Sequence, residues 1–328
     1  MGSDYVQIKG VSKWYPHKTD GSIFNRKKSW VKAVDQVDLS LQKGEILGVI
    51  GESGCGKSTL GRLLAQLEPV TNGEIVIEDR DALEMIAKDN KMFRRMVQIV
   101  FQNPFDTFTP RDTVGNIMMR TLKIHNIGES QEARYEMCRE ALEFGGLNPA
   151  EEMMTRYPHE LSGGQLQRIS ILRSMLLEPK LLIADEPVSM LDVSVRAEII
   201  NMMIDLSKAN ETAVLFISHD VALTRHVAHK IAVMYLGRIV EYGPTDQVLK
   251  SPQHPYTQVL ISNCASIDPE SAMKKIIVEG EPPTPIDPGP GCYFAPRCFK
   301  AVPACFEKYP ATVQFGEEHF VACDRYKE

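Results

Sequence analysis

Apolar residues along this chain come in two rhythms, short unbroken runs and helical spacings, and their alternation predicts a layered α/β protein. Residues 45–50 (Glu-Ile-Leu-Gly-Val-Ile), 181–184 and 213–217 are runs too short for helices, as buried parallel strands are. Val37, Leu39 and Leu41 alternate with polar neighbours as a half-buried strand does, and Lys43-Gly44 then turns the chain. Ile75 and Ile77 follow an Asn72-Gly73 turn, and a strand over residues 98–101 ends at Gln102-Asn103-Pro104. Residues 113–178 change character. Ser130 caps a run with Ala133, Met137, Cys138, Ala141 and Leu142 on one face, closed by Gly145-Gly146. A second helix opens at Leu161–Gln165, carries Leu166, Ile169, Leu172, Met175 and Leu176, and stops before Pro179. The helical block therefore reads as a lobe inserted at 103–178 into a strand-rich core.

Between the run 45–50 and a helical spacing from Leu60 (Leu63, Leu64, Leu67) lies Gly51-Glu52-Ser53-Gly54-Cys55-Gly56-Lys57-Ser58-Thr59, a full match to G-x-x-x-x-G-K-[ST]. Gly51, Gly54 and Gly56 let backbone N–H groups turn inward, and the following helix directs its positive end to the same point. Lys57 supplies a point charge for the β- and γ-phosphates, and the Ser58 hydroxyl suits Mg²⁺. A glycine-rich turn without a ligand is the alternative. Cys55 occupies an unconstrained position of the motif and reads as a small loop side chain with no special chemistry, thiol reactivity from its place at a helix start being the alternative.

Other polar groups collect at strand ends and helix starts. Residues 181–184 end in Asp185-Glu186, at the sheet edge where α/β proteins bind ligands. Asp185 suits Mg²⁺, and Glu186 suits a base acting on the attacking water. The strand 213–217 ends in Ser218-His219-Asp220 on the same expected edge. The two glycines of Ser162-Gly163-Gly164-Gln165 weaken a helix start unless something must approach the backbone there; a plain N-cap turn is the other reading. Tyr15, in the pair Trp14-Tyr15, offers either core packing or a ring for stacking on a base.

Composition narrows the classes. The 328 residues, 43% hydrophobic, suffice for about two domains with a sizeable core. A net charge of −6 argues against nucleic acid as a general partner, and the basic residues Arg26, Lys27, Lys28 and Lys32 read as a solvated loop. No apolar stretch is long enough to span a membrane, and the N-terminus has no signal-peptide core, so we expect a cytosolic chain whose membrane role comes through a partner.

Taken in order, Lys57, Gln102, Leu161–Gln165, Asp185-Glu186, Asp192 and His219 make the chain resemble the ATP-binding subunits of ABC transporters over residues 5–260. The resemblance implies a P-loop ATPase with a parallel α/β core, an antiparallel β lobe and the inserted helical lobe. It implies ATP and Mg²⁺ held on Ser53, Lys57, Ser58, Thr59 and Asp185, Tyr15 on the adenine, and Gln102 linking Mg²⁺ to the helical lobe. It also implies Glu186 as catalytic base, Asp192 in the D-loop and His219 on the γ-phosphate. Two subunits then close head to tail, so Ser162, Gly163, Gly164 and Gln165 of one cover the ATP of the other. The sequence departs from the family at Val188-Ser189-Met190-Leu191-Asp192, where Thr-Ser-Ala-Leu-Asp is usual, and keeps Asp192.

Beyond residue 250 the resemblance narrows. His254-Pro255-Tyr256-Thr257, Gly280-Glu281-Pro282-Pro283, Gly291-Cys292 and Pro296-Arg297-Cys298 look like the C-terminal extension of oligopeptide, dipeptide and nickel importer ATPases. Residues 25–35 and Ser58-Thr59-Leu60-Gly61-Arg62 look most like the second ATPase of a dipeptide or oligopeptide importer. Oligosaccharide importers share these features. Cys292, Cys298, Cys305 and Cys323, spaced C-x5-C-x6-C-x17-C, lack the close pairs of most zinc sites. The subfamily binds a [4Fe–4S] cluster at such places, which is the expectation here, with Zn²⁺ or simple thiols as alternatives. Phe294, Phe299, Phe306 and Phe320 then either shield a structural cluster distant from ATP or simply fill the same small core.

The expected layout is a nucleotide-binding domain at 1–260, a Pro-rich linker at 261–291 and a small Cys-rich domain at 292–328. The expected function is an ATPase on the cytoplasmic face of the membrane, peripheral, driving di- or oligopeptide import. Its expected partners are a homologous ATPase, two transmembrane permease subunits and, indirectly, an extracytoplasmic solute-binding protein. A soluble ABC protein acting on nucleic acid is the competing class. It usually has two cassettes or a long coiled coil, and this chain has one phosphate loop and no sustained heptads.

Overall fold

The short apolar runs become strands and the helical spacings become helices, and in the computed structural model they fall into two compact units. The structure describes residues 5–17, 28–264, 275–278, 280–316 and 318–326. Asn25, Arg26 and Lys27 of the basic stretch and residues 265–274 and 279 of the expected linker lie outside them.

In chain order the strands are β1 (Val6–His17), β2 (Ser29–Leu41), β3 (Ile46–Ile50), β4 (Asn72–Ile77), β5 (Arg80–Asp81), β6 (Val97–Val100), β7 (Leu181–Asp185), β8 (Ala213–Ser218), β9 (Lys230–Tyr235), β10 (Arg238–Pro244), β11 (Thr312–Phe315) and β12 (His319–Ala322). The helices are α1 (Lys57–Leu64), α2 (Ala82–Met96), α3 (Val114–Ile124), α4 (Gln131–Phe144), α5 (Ala150–Thr155), α6 (Gly163–Met175), α7 (Val193–Asn210), α8 (Val221–Val227), α9 (Thr245–Lys250) and α10 (Pro255–Ser262).

One unit comprises the chain up to Val6, Leu41–Glu45 and Ile77–Leu215. Here β6 and β7 are parallel, in register from Val97↔Leu181 to Val100↔Ala184, and β7 is buried along its whole length. The helical lobe is α3 to α6, with side-chain caps at three of its helix starts. Thr113 accepts from Asn116 N at 3.4 Å, Ser130 from Ala133 N at 3.1 Å, and Ser162 from Gln165 N at 3.3 Å. Each such cap is worth about 1 kcal/mol. Cys138, on the inner face of α4, is fully buried. Helices α2 and α7 have no counterpart among the elements expected from sequence. Only Ala82, Met85, Phe93 and Met96 of α2 are buried, all on one helical face, and the backbone at Asp89 between them is non-helical.

The other unit comprises Gln7–Ser40, Ile46–Val76 and Phe216–Glu328. Strands β2, β1 and β4 are successive neighbours in one sheet, and β11, β12, β10, β9 and β3 in another. β3 and β9 run parallel from Leu47↔Lys230 to Ile50↔Val233. The sheet is mixed rather than wholly parallel, because β9 and β10 are antiparallel. Leu236 (φ 44°) and Gly237 (φ 83°) make a two-residue connection with both residues left-handed, the geometry of a tight hairpin that returns the chain beside itself. Leu-Gly is a weaker sequence signal for that turn than Asn-Gly.

The tail continues this unit. β12 pairs with β10 (Glu241↔Val321, Tyr242↔Phe320), and β11 with β12, so a separate Cys-rich domain is not shown. The proline-rich stretch lies along β2: Ile286 bridges Val31, and Lys32 N donates to Pro285 O at 2.9 Å. Asp35, 1% exposed, ties the pieces together. Its carboxylate accepts from Arg238 Nε at 2.9 Å, the Tyr293 hydroxyl at 2.7 Å and Trp14 Nε1 at 3.2 Å. A buried carboxylate is tolerable only with such partners. No described helix is long and apolar enough to cross a membrane.

His254 begins α10. Its Nδ1 accepts from Tyr256 N at 3.1 Å, and its own N–H donates to the buried Glu241 carboxylate at 2.9 Å. Burial lowers its pKa from 6.5 to about 3, holding the ring neutral. The unfolded chain therefore binds the extra proton between those two values, and stability contributed by neutral His254 is lost as pH falls through that window. His254→Asn keeps a capping side chain without a titrating ring. Urea midpoints of wild type and His254→Asn should converge as pH is lowered from 7.5 to 5; a constant gap would show that His254 protonation does not set the slope.

Candidate active site

The expected site residues fall in both units. In the second, β3 delivers the chain into residues 51–56, and α1 starts at Lys57. Gly51 and Gly56 are required by close approach: a Cβ on Gly51 would lie 2.2 Å from Met234 O, and one on Gly56 (φ 108°) 2.1 Å from Ala33 O. Gly237 N donates to Cys55 O at 2.8 Å, and Gly237 O accepts from Asp35 N at 2.9 Å. The loop thus rests on the β9–β10 hairpin, which rests on β2. Lys57, 5% exposed, folds back over the turn, with Nζ 2.9 Å from both Gly51 O and Glu52 O. Ser58 and Thr59 follow in the first turn of α1, and Ser53 and Gly54 form the outer rim of the loop. This donor set fits a polyphosphate: a backbone cradle with no room for a Cβ, one buried ammonium over it, and a hydroxyl at the helix start.

Tyr15 is half-buried in the same unit, and its hydroxyl donates to Glu68. Burial and that carboxylate raise its pKa to about 12, against lowering by Thr59 and Arg62. His219 is exposed just beyond the end of β8. Cys55 is a buried side chain of the loop. It is 3% exposed, and burial raises its pKa despite Lys57 beside it, so the protonated thiol is favoured over a reactive thiolate.

In the first unit, Gln102 Nε2 donates to Glu186 Oε2 at 3.1 Å and to Ser189 Oγ at 3.2 Å. Asp185 ends β7 nearly buried, at 6% exposure. Glu186, next in the chain, has the left-handed φ of 47°, a strained conformation of the kind found at functional sites. Asp192 is exposed at the N-cap of α7. Ser162 and Gln165 form a capping box at the start of α6, with Ser162 N donating to Gln165 Oε1 at 2.9 Å. The two signature glycines differ. A Cβ on Gly164 would lie 2.8 Å from Val195 Cγ1, whereas one on Gly163 would meet only Leu191 at 3.7 Å and Phe105 at 3.9 Å. Internal packing accounts for the first and not for the second. This turn, with Met190, Asp192 and Val195, lines an open cleft of about 370 Å³.

The metal expectation in the tail is overturned. Among the described residues no group of three or more His, Cys, Asp or Glu side chains can hold a metal ion, so neither a [4Fe–4S] cluster nor zinc is assigned to Cys292, Cys298, Cys305 and Cys323. All four line one cavity of about 10 Å³, the room of about one water molecule. Burial raises the Cys292 pKa to about 12 and raises those of Cys298 and Cys323. Of the phenylalanines expected to shield a cluster, Phe294 is buried while Phe299 and Phe306 are 47% and 51% exposed. Nor is the tail distant from the phosphate loop: Arg297 Nη1 is 3.2 Å from Glu52 Oε2. Two loop neighbours thus escaped the sequence reading, Tyr256 and Arg297. Both stood in quoted motifs, but no local pattern links them to residue 52.

Comparison with known proteins adds the following. The family described as ABC transporter matches residues 34–189, and that described as oligopeptide/dipeptide transporter, C-terminal region, matches 240–305. The dipeptide transport ATP-binding protein DppF of Haemophilus influenzae is 44% identical over 314 residues, covering 96% of this chain and 94% of that protein. The oligopeptide transport ATP-binding protein AppF of Bacillus subtilis is 42% identical over 324 residues, 98% of this chain and 97% of that one. Among solved structures, the ATP-binding cassette MJ0796 bound to ADP and Pi, in a dimeric post-hydrolysis state, superposes with a TM-score of 0.63. It has 25% identity and covers 73% of this chain and 98% of that one.

The loop's seat makes a stability prediction. Gly56→Ala adds a collision with the Ala33 carbonyl to an unfavourable φ and should cost about 2 kcal/mol or more. Gly54→Ala (φ 76°), where a Cβ meets nothing within 4 Å, bears only the backbone strain, about 1 kcal/mol. Urea denaturation of the two variants checks this, and equal losses would remove the carbonyl contact as the cause.

Proposed function

This chain belongs to the ATP-binding subunits of ABC transporters, and we infer that it is the ATP-hydrolysing motor of a peptide importer. One observation carries the nucleotide: the seat of residues 51–59, where the backbone at Gly51 and Gly56 has no room for a Cβ and Lys57 sits over the turn. The solute class rests on the match of residues 240–305 to the oligopeptide/dipeptide C-terminal region and on the dipeptide and oligopeptide relatives.

Within this reading Lys57, Ser58 and Thr59 bind the phosphates, with Ser53, Gly54, Cys55 and Gly56 offering the backbone around them. The half-buried ring of Tyr15 stacks on the adenine. Ser58, Gln102 and Asp185 are the residues that would hold Mg²⁺, which would neutralise charge on the phosphate oxygens. Glu186 takes the proton of the attacking water, and the hydrogen bond from Gln102 supports this by aiming its carboxylate. His219 contacts the γ-phosphate, and Asp192 belongs to the D-loop.

The turn Ser162-Gly163-Gly164-Gln165 covers ATP held by a second, homologous subunit. Gly163 supports this, since nothing within the chain forbids a side chain there. An incoming phosphate at the backbone of a helix start does forbid one. Two transmembrane permease subunits then hold the ATPase pair at the cytoplasmic face, and a solute-binding protein outside delivers the peptide.

Glu186→Gln should lower turnover roughly 10²-fold or more, the range for loss of a general base, and leave nucleotide affinity nearly intact. Near-normal turnover with radiolabelled ATP would remove Glu186 from that role. Because each site lacks half its contacts until a second subunit arrives, specific activity of the isolated chain should also fall on dilution. Rapid turnover independent of concentration would show a site complete within one chain.

A further inference from the structure

We propose that the C-terminal segment is a clamp on the phosphate loop, with Tyr256 and Arg297 as positioning residues that act through Glu52 to set ATP affinity. The proposal rests on the nucleotide reading given above. Glu52 is the second residue of the loop, and three of its groups are fixed. Its N–H donates to the Tyr256 hydroxyl at 2.9 Å, its carboxylate accepts from Arg297 Nη1 at 3.2 Å, and its carbonyl accepts from Lys57 Nζ at 2.9 Å. The first two partners lie 204 and 245 positions away in sequence.

Both anchors are themselves held. Tyr256 is 1% exposed, with its ring 4.6 Å from that of Tyr235 and 5.4 Å from that of Phe294. Phe294 meets the Tyr235 ring edge-on at 5.2 Å. Arg297 also donates to the Tyr235 hydroxyl at 3.3 Å and to Gly280 O at 2.9 Å. The aromatic trio thus joins α10, the end of β9 and the tail into one rigid backing. The Arg297 and Glu52 side chains are 12% and 30% exposed, so their attraction is only partly screened by water.

The physical need is entropic. A loop with three glycines in six residues loses much conformational freedom when it is ordered. If it is ordered already in the folded chain, ATP does not have to order it on binding, and affinity rises accordingly. Fixing the Glu52 carbonyl also fixes where the Lys57 ammonium rests. A contact that merely fastened the tail would instead change stability and leave the loop alone.

Two conservative variants separate these cases. Tyr256→Phe keeps the packed ring and removes the hydroxyl, while Arg297→Lys keeps the charge and loses the forked reach. In the full, nucleotide-free chain, amide hydrogen exchange at residues 51–56 should be faster in both. Equilibrium titration should give roughly three- to tenfold weaker Mg·ATP binding, the range for one lost hydrogen bond, with turnover at saturating ATP within about twofold of wild type. Adding Glu52→Gln to Arg297→Lys should weaken binding no more than the worse single change. Unchanged loop exchange and affinity in folded Tyr256→Phe, with or without a lower melting temperature, would overturn the clamp. Wild-type chain that binds no Mg·ATP would instead overturn the nucleotide reading, and the exchange comparison would still decide whether the tail orders the loop.

Discussion

The phosphate loop can exist here only because backbone is allowed to touch backbone. The carbonyls of Met234 and Ala33 occupy the places where side chains on Gly51 and Gly56 would project. Those carbonyls are themselves fixed, since Gly237 bridges Cys55 O and Asp35 N and the buried Asp35 carboxylate gathers Arg238, Tyr293 and Trp14. The seat of the loop is therefore built from β2, the β9–β10 hairpin and the tail together. A change at any of them reaches the loop through rigid contacts rather than through flexible side chains.

The other unit carries a different kind of order. Its Gln102, Glu186 and Ser189 form a small polar cluster, with strained backbone at Glu186. Its signature turn holds one glycine that internal packing demands and one that it does not.

The tail changes its meaning once its surroundings are known. Its four cysteines line one cavity with room for about one water molecule. Its strand β12 lengthens the sheet, and its Arg297 reaches the loop. A segment of about 40 residues has little core of its own, and this one obtains a core by sharing that of the nucleotide-binding unit.

What the amino-acid order determined by itself is whatever depends on near neighbours. Residues 51–59 carry their function in nine consecutive positions; the runs 181–184 and 213–217 declare buried strands through local hydrophobicity; Ser130 and Ser162 announce helix starts through capping. These signals are short-range because turn geometry, strand burial and caps are. The antiparallel β10 stayed hidden because Leu236-Gly237 is an uncommon sequence for a tight hairpin. Only the tertiary structure decided that four spaced cysteines share one small cavity, that Gly164 answers to Val195 while Gly163 does not, and that Arg297 meets Glu52. Each depends on distances between residues far apart in the chain, and such distances are set by packing, which no local pattern encodes.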